Sequence, residues 1–261
     1  MERRRYALRL LYDGRAFRGF QRQPGLPTVQ EAIEAGLTRL GVKATLEVAA
    51  RTDAGVSAVD QVVSFPVRAA LDPAALRRAV NEAAPEGLIC LAAARAPASF
   101  HARSSALGRR YVYLVGAPPP PEVAPWCWSL PDERAFPGLA APRLDAGAMR
   151  QALSYAVGEH DFAGFARPGE QRGSVRTVTR ADVVEADGLP LYAVVLEGRG
   201  FLRAMVRNLV GTAVAAGLGL TPPTQLRDLL AARGRYRGVR APGWGLTLAS
   251  VSYPPGTLDW T

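Results

Sequence analysis

"RRYVYLVG", residues 109–116, decides the fold. It reads as a strand that places Tyr111 and Tyr113 on one face. Before it lies one complete run of elements. "RYALRLLY" (5–12) alternates, with Tyr6, Leu8, Leu10 and Tyr12 on one side of a strand. "TVQEAIEAGLTRLG" (28–41) reads as a helix. Thr28 and Glu31 form a capping box, Val29, Ile33, Leu37 and Leu40 make the apolar stripe, and Gly41 ends it. "ATLEVAA" (44–50) and "VSAVDQVVSFPV" (56–67) are strands. "DPAALRRAVNEA" (72–83) is a helix with Asp72 as N-cap and Pro73 at its first position, and "GLICLAAARA" (87–96) is a strand. The order is β-α-β-β-α-β.

The strand at 109–116 opens a second copy of that order. "DAGAMRQALSYAVG" (145–158) reads as a helix capped by Asp145. "RTVTRADVVEA" (176–186) and "LYAVVLEG" (191–198) are strands, "GFLRAMVRNLVGTAVAAG" (200–217) is a helix, "TQLRDLLAARG" a shorter one, and "GLTLASVSY" (245–253) the last strand. Two such runs predict an α+β fold of tandem ferredoxin-like halves, with a mixed, mainly antiparallel sheet, helices on one side and a cleft. The expected division is 1–105 and 106–261, with a Pro-rich insertion over 116–143. Within it, "GAPPPPEVAPWCWSLP" (116–131) carries Trp126 and Trp128, which either pin the loop to the body or stack on a partner.

The chain has 261 residues, about half of them hydrophobic, so it can bury a sizeable core. No apolar run is long enough to span a membrane and no signal-peptide pattern opens the chain, which favours a cytoplasmic protein. Cys90 and Cys127 form no C-x-x-C pair, and His101 and His160 are the two histidines, so a Cys/His zinc site is not expected. There is no P-loop and no G-x-G-x-x-G between a strand and a helix. Charge says more. The net charge is +9, and of 32 basic residues only Lys43 is lysine. Arginine suits phosphate and base contacts, but a GC-rich genome also replaces lysine with arginine throughout.

Four stretches hold residues suited to chemistry. "RTDAGVSA" (51–58) sets Arg51 two places before Asp53. Asp and Gly are ordinary turn residues, so "TDAG" reads as a plain turn. The plain turn is the stronger reading; the nearby cation also allows Asp53 to be an ionised nucleophile or general base, and a surface salt bridge would look the same. Tyr111 and Tyr113 fill a core or stack on nucleobases. In "GFLRAMVRNLVG" (200–211), Arg203 and Arg207 are four apart, on one face of the expected helix. Arg207 lies among apolar residues, so it either meets an acidic partner or snorkels outward. "RGRYRGVR" (233–240) reads as a basic loop, suited to phosphates or merely solvated.

Taken in order, seven motifs resemble the TruA family of tRNA pseudouridine synthases. "YDGRAFRGFQRQP" (12–24) is similar to its YDG-x-x-F-x-G-W-Q-x-Q-P opening, and "TVQEAIEAGL" to its T-V-Q helix. "ARTDAGVSAVDQVVSF" resembles G-R-T-D-A-G-V-H-A followed by Q-V and F, and "FHARSSALGRRYVY" (100–113) resembles F-H-A-R-F-S-A followed by Y-x-Y. "HDFAGFA" (160–166), "GRGFLRAMVRNLVG" (198–211) and "APGWGLTLASVSY" (241–253) complete the series. The resemblance implies a cytoplasmic homodimer that isomerises uridines at tRNA positions 38 to 40 without a cofactor. It implies Asp53 as the catalytic aspartate, Arg207 as its partner, Tyr111 stacked on the target uracil, and Leu246 as a further substrate contact. Arg51 would fill the place the flipped nucleotide leaves. Phe20, Gln21, Gln61, His101, Arg103, Arg109 and Arg110 are expected to contact RNA. The chain departs from the pattern with Ala50 for glycine, Ser57 for histidine, Phe20 for tryptophan, Ser104 for phenylalanine and Thr247 for tyrosine. An RNA-binding protein without activity and a nucleoside hydrolase using Asp53 are the competing readings.

Overall fold

A computed structural model describes residues 3–140, 142–166, 173–232, 236 and 238–261. The chain divides into two compact units, one of 1–109 with 247–261 and one of 110–246. The α+β class follows in both.

In the first unit, β1 (Arg4–Tyr12), α1 (Val29–Arg39), β2 (Glu47–Val48), β3 (Ser57–Val67), α2 (Pro73–Ala83) and β4 (Leu88–Ala96) follow the expected order. Thr28 Oγ1 accepts the Glu31 N–H, Asp72 accepts those of Ala74 and Ala75, and Gly41 at φ +67° ends the first helix. β3 pairs antiparallel with β1 on one side and with the short β2 on the other, and β4 lies beyond β1. Tyr6, Leu8, Leu10 and Tyr12 are all buried, as their alternation requires. Between the pairs Leu10–Gln61 and Tyr12–Ala58, two residues of β1 span three of β3. This bulge leaves Val59 exposed and keeps Tyr12 turned inward. The helices pack closely because Gly36 lies against the backbone of Val80.

In the second unit, β5 (Gly108–Gly116), β6 (Trp128–Ser129), α3 (Ala146–Ser154), β7 (Gly158–Asp161), β8 (Val175–Glu185), β9 (Leu191–Gly198), α4 (Met205–Gly217) and α5 (Gln225–Ala232) follow. The strand order is β5-β9-β8-β7, with β6 paired to β5. Trp128 pins the Pro-rich insertion. It is buried, donates to Asp132 Oδ2 at 2.8 Å and stacks on Phe136. Trp126 stays exposed.

Three features differ from expectation. β6 and β7 carry no strong alternation and were not foreseen. β10 (Leu246–Ser252), expected only as the last strand of the second half, also pairs parallel with β3 through Thr247–Ser57 and Leu248–Ala58, and residues 247–261 group with the first unit. Finally, α4 begins at Met205, because Ala204 takes φ +65° and breaks the helical path. Arg203 therefore lies before the helix and does not share a helical face with Arg207.

Candidate active site

Within the first unit the site grows from the loop between β2 and β3. The Val56 N–H donates to the Asp53 carbonyl at 3.2 Å, and Gly55 sits at φ +80° in the third position. That is a type II turn, which needs glycine there. Residues 14–20 pack onto it. The Phe20 N–H donates to the Thr52 carbonyl at 3.0 Å, and Gly19, at φ +101°, leaves room for that carbonyl. The Gly14 backbone touches Val56, where any side chain would collide. The Gly14 N–H donates to Ser57 Oγ at 3.0 Å. Ser57, the residue in place of the family histidine, thus ties the loop to the 14–20 segment. Arg51 is exposed, Thr52 buried and Asp53 half-buried.

Beneath the loop, Gln61 donates through Nε2 to the Ala50 carbonyl at 2.7 Å, and its Oε1 accepts the Ala50 N–H at 3.3 Å. Gln61 Nε2 also donates to the Tyr12 hydroxyl at 3.2 Å, which lies 2.7 Å from Thr52 Oγ1. Burial pushes the Tyr12 hydroxyl up to about 12, so it stays protonated.

The 100–105 loop is held by the same sheet. The Ala102 N–H donates to Ser64 Oγ at 2.9 Å, and the Tyr253 hydroxyl to the Ala102 carbonyl at 2.6 Å. His101 Nδ1 accepts the Arg103 N–H at 3.1 Å. The Arg109 guanidinium donates to the carbonyls of Ala49 at 2.8 Å and Arg103 at 2.6 Å, joining this loop to the one carrying Asp53.

Three of the residues expected to contact RNA are buried: Gln61 is 0% exposed, Phe20 2% and Arg109 8%. Gln61 and Arg109 bond loop carbonyls through their side chains and Phe20 through its backbone N–H. Gln21, Arg103 and Arg110 are exposed and His101 is half-exposed. Sequence reasoning missed Tyr12 and Thr52. Their signal was a tyrosine on the apolar face of β1, whose hydroxyl needs a partner once buried.

In the second unit, Arg207 and Leu246 are held by one loop. Arg207 Nε donates to the Ala241 carbonyl at 2.7 Å, and the Ala241 N–H returns to the Arg207 carbonyl at 3.2 Å. The Leu246 N–H donates to the Gly243 carbonyl at 3.0 Å, and the Tyr113 hydroxyl to that of Pro242 at 3.0 Å. Gly245 lies against the Tyr113 ring, and that close approach excludes a side chain. Tyr113 is core. Tyr111 is 7% exposed and meets Phe201 edge-on at 5.3 Å. Arg110 is exposed and bonded to Glu197 at 3.0 Å. In the 233–240 stretch, Arg233, Arg235 and Arg237 lie outside the described residues. Tyr236 is anchored by hydrogen bonds of 2.9 Å to the Thr212 hydroxyl and the Asn208 carbonyl, not offered for base stacking. Among the described residues no group of three or more His, Cys, Asp or Glu is placed to hold a metal ion, and no helix is long and apolar enough to cross a membrane.

A family model described as tRNA pseudouridine synthase matches residues 152–254. That match points to a class, and full-length relatives fix it: an isomerase that turns uridine into pseudouridine in tRNA. Proteins named tRNA pseudouridine synthase A are similar along nearly the whole chain. That of Neisseria meningitidis serogroup B is 40% identical over 97% of this chain and 93% of its own length. That of Frankia casuarinae is 40% identical over 96% and 90%, and that of Chlamydia trachomatis serovar A 34% identical over 97% and 93%. The chain belongs to the TruA family of tRNA pseudouridine synthases. Among solved structures, a Cbf5-Nop10-Gar1 complex is similar at a TM-score of 0.33 and 16% identity over 80% of this chain and 45% of that one, too distant to bear on the fold.

Proposed function

We propose that the enzyme acts on uridines 38 to 40 of the tRNA anticodon stem-loop and that Asp53 starts the reaction. The observation that carries this reading is the Asp53 turn, fixed on both sides and presenting a half-buried carboxylate beside the exposed Arg51. A group held in place before the substrate arrives lowers the cost of reaching the transition state.

A uracil inside a stem is out of reach, so the nucleotide leaves the stack and Arg51 fills the gap. The N1–C1′ bond breaks, the base turns, C5 bonds to C1′, and the C5 proton is lost. Asp53 either attacks a carbon of the nucleotide or takes a sugar proton to give a glycal. Tyr111 and Leu246 hold the detached base, with Phe201 fixing the Tyr111 ring. Tyrosine is a weak base at its ordinary pKa of about 10, so stacking is its first role and removal of the C5 proton its second. Arg207 is the cation assigned to Asp53, an assignment that rests on the family resemblance. Gln21, His101, Arg103 and Arg110 contact the RNA. The same resemblance supports a cytoplasmic homodimer that needs no cofactor.

The test uses tRNA transcripts with tritium at C5 of uridine. The wild type is expected to release tritium, and Asp53→Asn to bind tRNA and release none. Turnover by Asp53→Asn near the wild-type rate overturns the reading. Wild-type binding without tritium release identifies a non-catalytic RNA-binding protein, and free uracil among the products a hydrolase. Mapping the pseudouridines in the product tests the three positions.

A further inference from the structure

We infer that Gln61, Tyr12 and Thr52 are positioning residues for the reaction, forming a directed hydrogen-bond chain that sets the backbone from which Asp53 projects. The inference rests on the reading of Asp53 as the reacting group.

The direction of the chain follows from chemistry. The Gln61 amide faces both polar groups of Ala50, an N–H and a carbonyl. A reversed amide would set donor against donor and acceptor against acceptor, so Nε2 is fixed on the side of the Ala50 carbonyl. One Nε2 hydrogen goes to Ala50 and the other to the Tyr12 oxygen. Of the two groups bonded to the Tyr12 oxygen, Gln61 Nε2 can only donate, so the Tyr12 hydrogen goes to Thr52 Oγ1, 2.7 Å away. Two of the three residues preceding Asp53 are thereby fixed, Ala50 at both backbone groups and Thr52 at its side chain. Thr52 is also held by the Phe20 N–H at its carbonyl. Beyond Asp53, the turn to Val56 and the Gly14 contact close the other side.

Stability accounts for the Gln61–Ala50 bonds, because an apolar residue at 61 would leave the Ala50 N–H and carbonyl without their partner. It does not require the further link from Tyr12 to Thr52. What polar groups add is direction. Thr52 is held at its side chain and its carbonyl together, which restricts the rotation that would swing Asp53 away. In an enzyme, misplacing the reacting group by about 1 Å costs on the order of a hundredfold in rate.

The experiment compares Thr52→Val, Thr52→Ser and Tyr12→Phe with the wild type and Asp53→Asn in the tritium assay. Tyr12→Phe and Thr52→Val remove one hydroxyl each and keep the shape. Both are expected to lower kcat about tenfold or more, with KM and tRNA affinity within about twofold. Thr52→Ser, which restores the hydroxyl, is expected to recover most of the rate. Rates are referred to the fraction of protein that binds tRNA, so that lost folding does not count as lost positioning. Wild-type kcat per binding-competent Thr52→Val, or a loss shared equally by Thr52→Ser, overturns the inference. An inactive Asp53→Asn beside a fully active Thr52→Val overturns it alone, while an active Asp53→Asn overturns the Asp53 reading first.

Discussion

Arg109 and Arg110 are neighbours in sequence and opposites in role. Successive residues of a strand point to opposite faces, so β5 buries one guanidinium and exposes the other. Arg109 satisfies two carbonyls from inside, while Arg110 faces solvent beside Glu197. Arg109→Ala should therefore destabilise the protein by about 2 kcal/mol, the scale of losing a buried charged hydrogen-bond donor. Thermal denaturation measures this. Arg110→Ala should leave stability nearly unchanged and reduce the salt slope of tRNA binding by about one, as the loss of one phosphate contact does. A slope that drops for Arg109→Ala instead would reverse the two roles. Both arginines stand just before Tyr111 in the stretch that resembles the family motif, and their positions there do not tell them apart. Only the fold separates a loop clamp from a surface cation. Gln61 and Phe20 show the same limit: the family resemblance places them with RNA contacts, and the fold buries both beneath the loop.

At the scale of elements, the strands and helices of the first unit were legible because their signals are local: alternation, a stripe, a cap, a stop. α1 shows where such signals end. Gly36 weakens the helix by about 1 kcal/mol relative to alanine, so local reasoning favours Gly36→Ala. The structure opposes it, since an alanine Cβ would sit 2.6 Å from the Val80 Cα. Backbone does not yield as a flexible side chain does, and overpacking costs about 1–3 kcal/mol. Gly36→Ala is therefore expected to destabilise despite its better propensity, read as a lower denaturation midpoint. A rise would show that α1 and α2 separate without penalty. α4 teaches the same lesson at its start. Among the described residues Ala204 is the one non-glycine at positive φ, and no periodicity announces it.

Across the whole molecule, burial holds several weak acids neutral. Cys90, Cys127, Tyr12 and Tyr236 are each pushed up to about 12, and burial raises Tyr253 and Tyr113 as well. The unfolded chain releases these protons at ordinary values, about 8.5 for cysteine and 10 for tyrosine. Between those values and the folded ones, the unfolded state binds fewer protons, so stability falls as pH rises. It should be flat with respect to these groups below about pH 8 and decline above it, more steeply past pH 10. Denaturant midpoints from pH 7 to 11 check this, and Tyr236→Phe should flatten the steeper part. The net charge of +9 belongs to this scale too, as a general attraction for tRNA. The longer strands and helices, their caps, the order of motifs and hence the family were readable from residues near one another in the chain, because periodicity and capping act over a few positions. The tertiary structure alone decided which polar residues are structural and where the last strand belongs. Tyr12 meets Thr52 across 40 residues, Arg109 meets Ala49 across 60, and Tyr253 meets Ala102 across 151. Burial and hydrogen-bond partnership are properties of what the folded chain brings together, and one-dimensional spacing does not carry them.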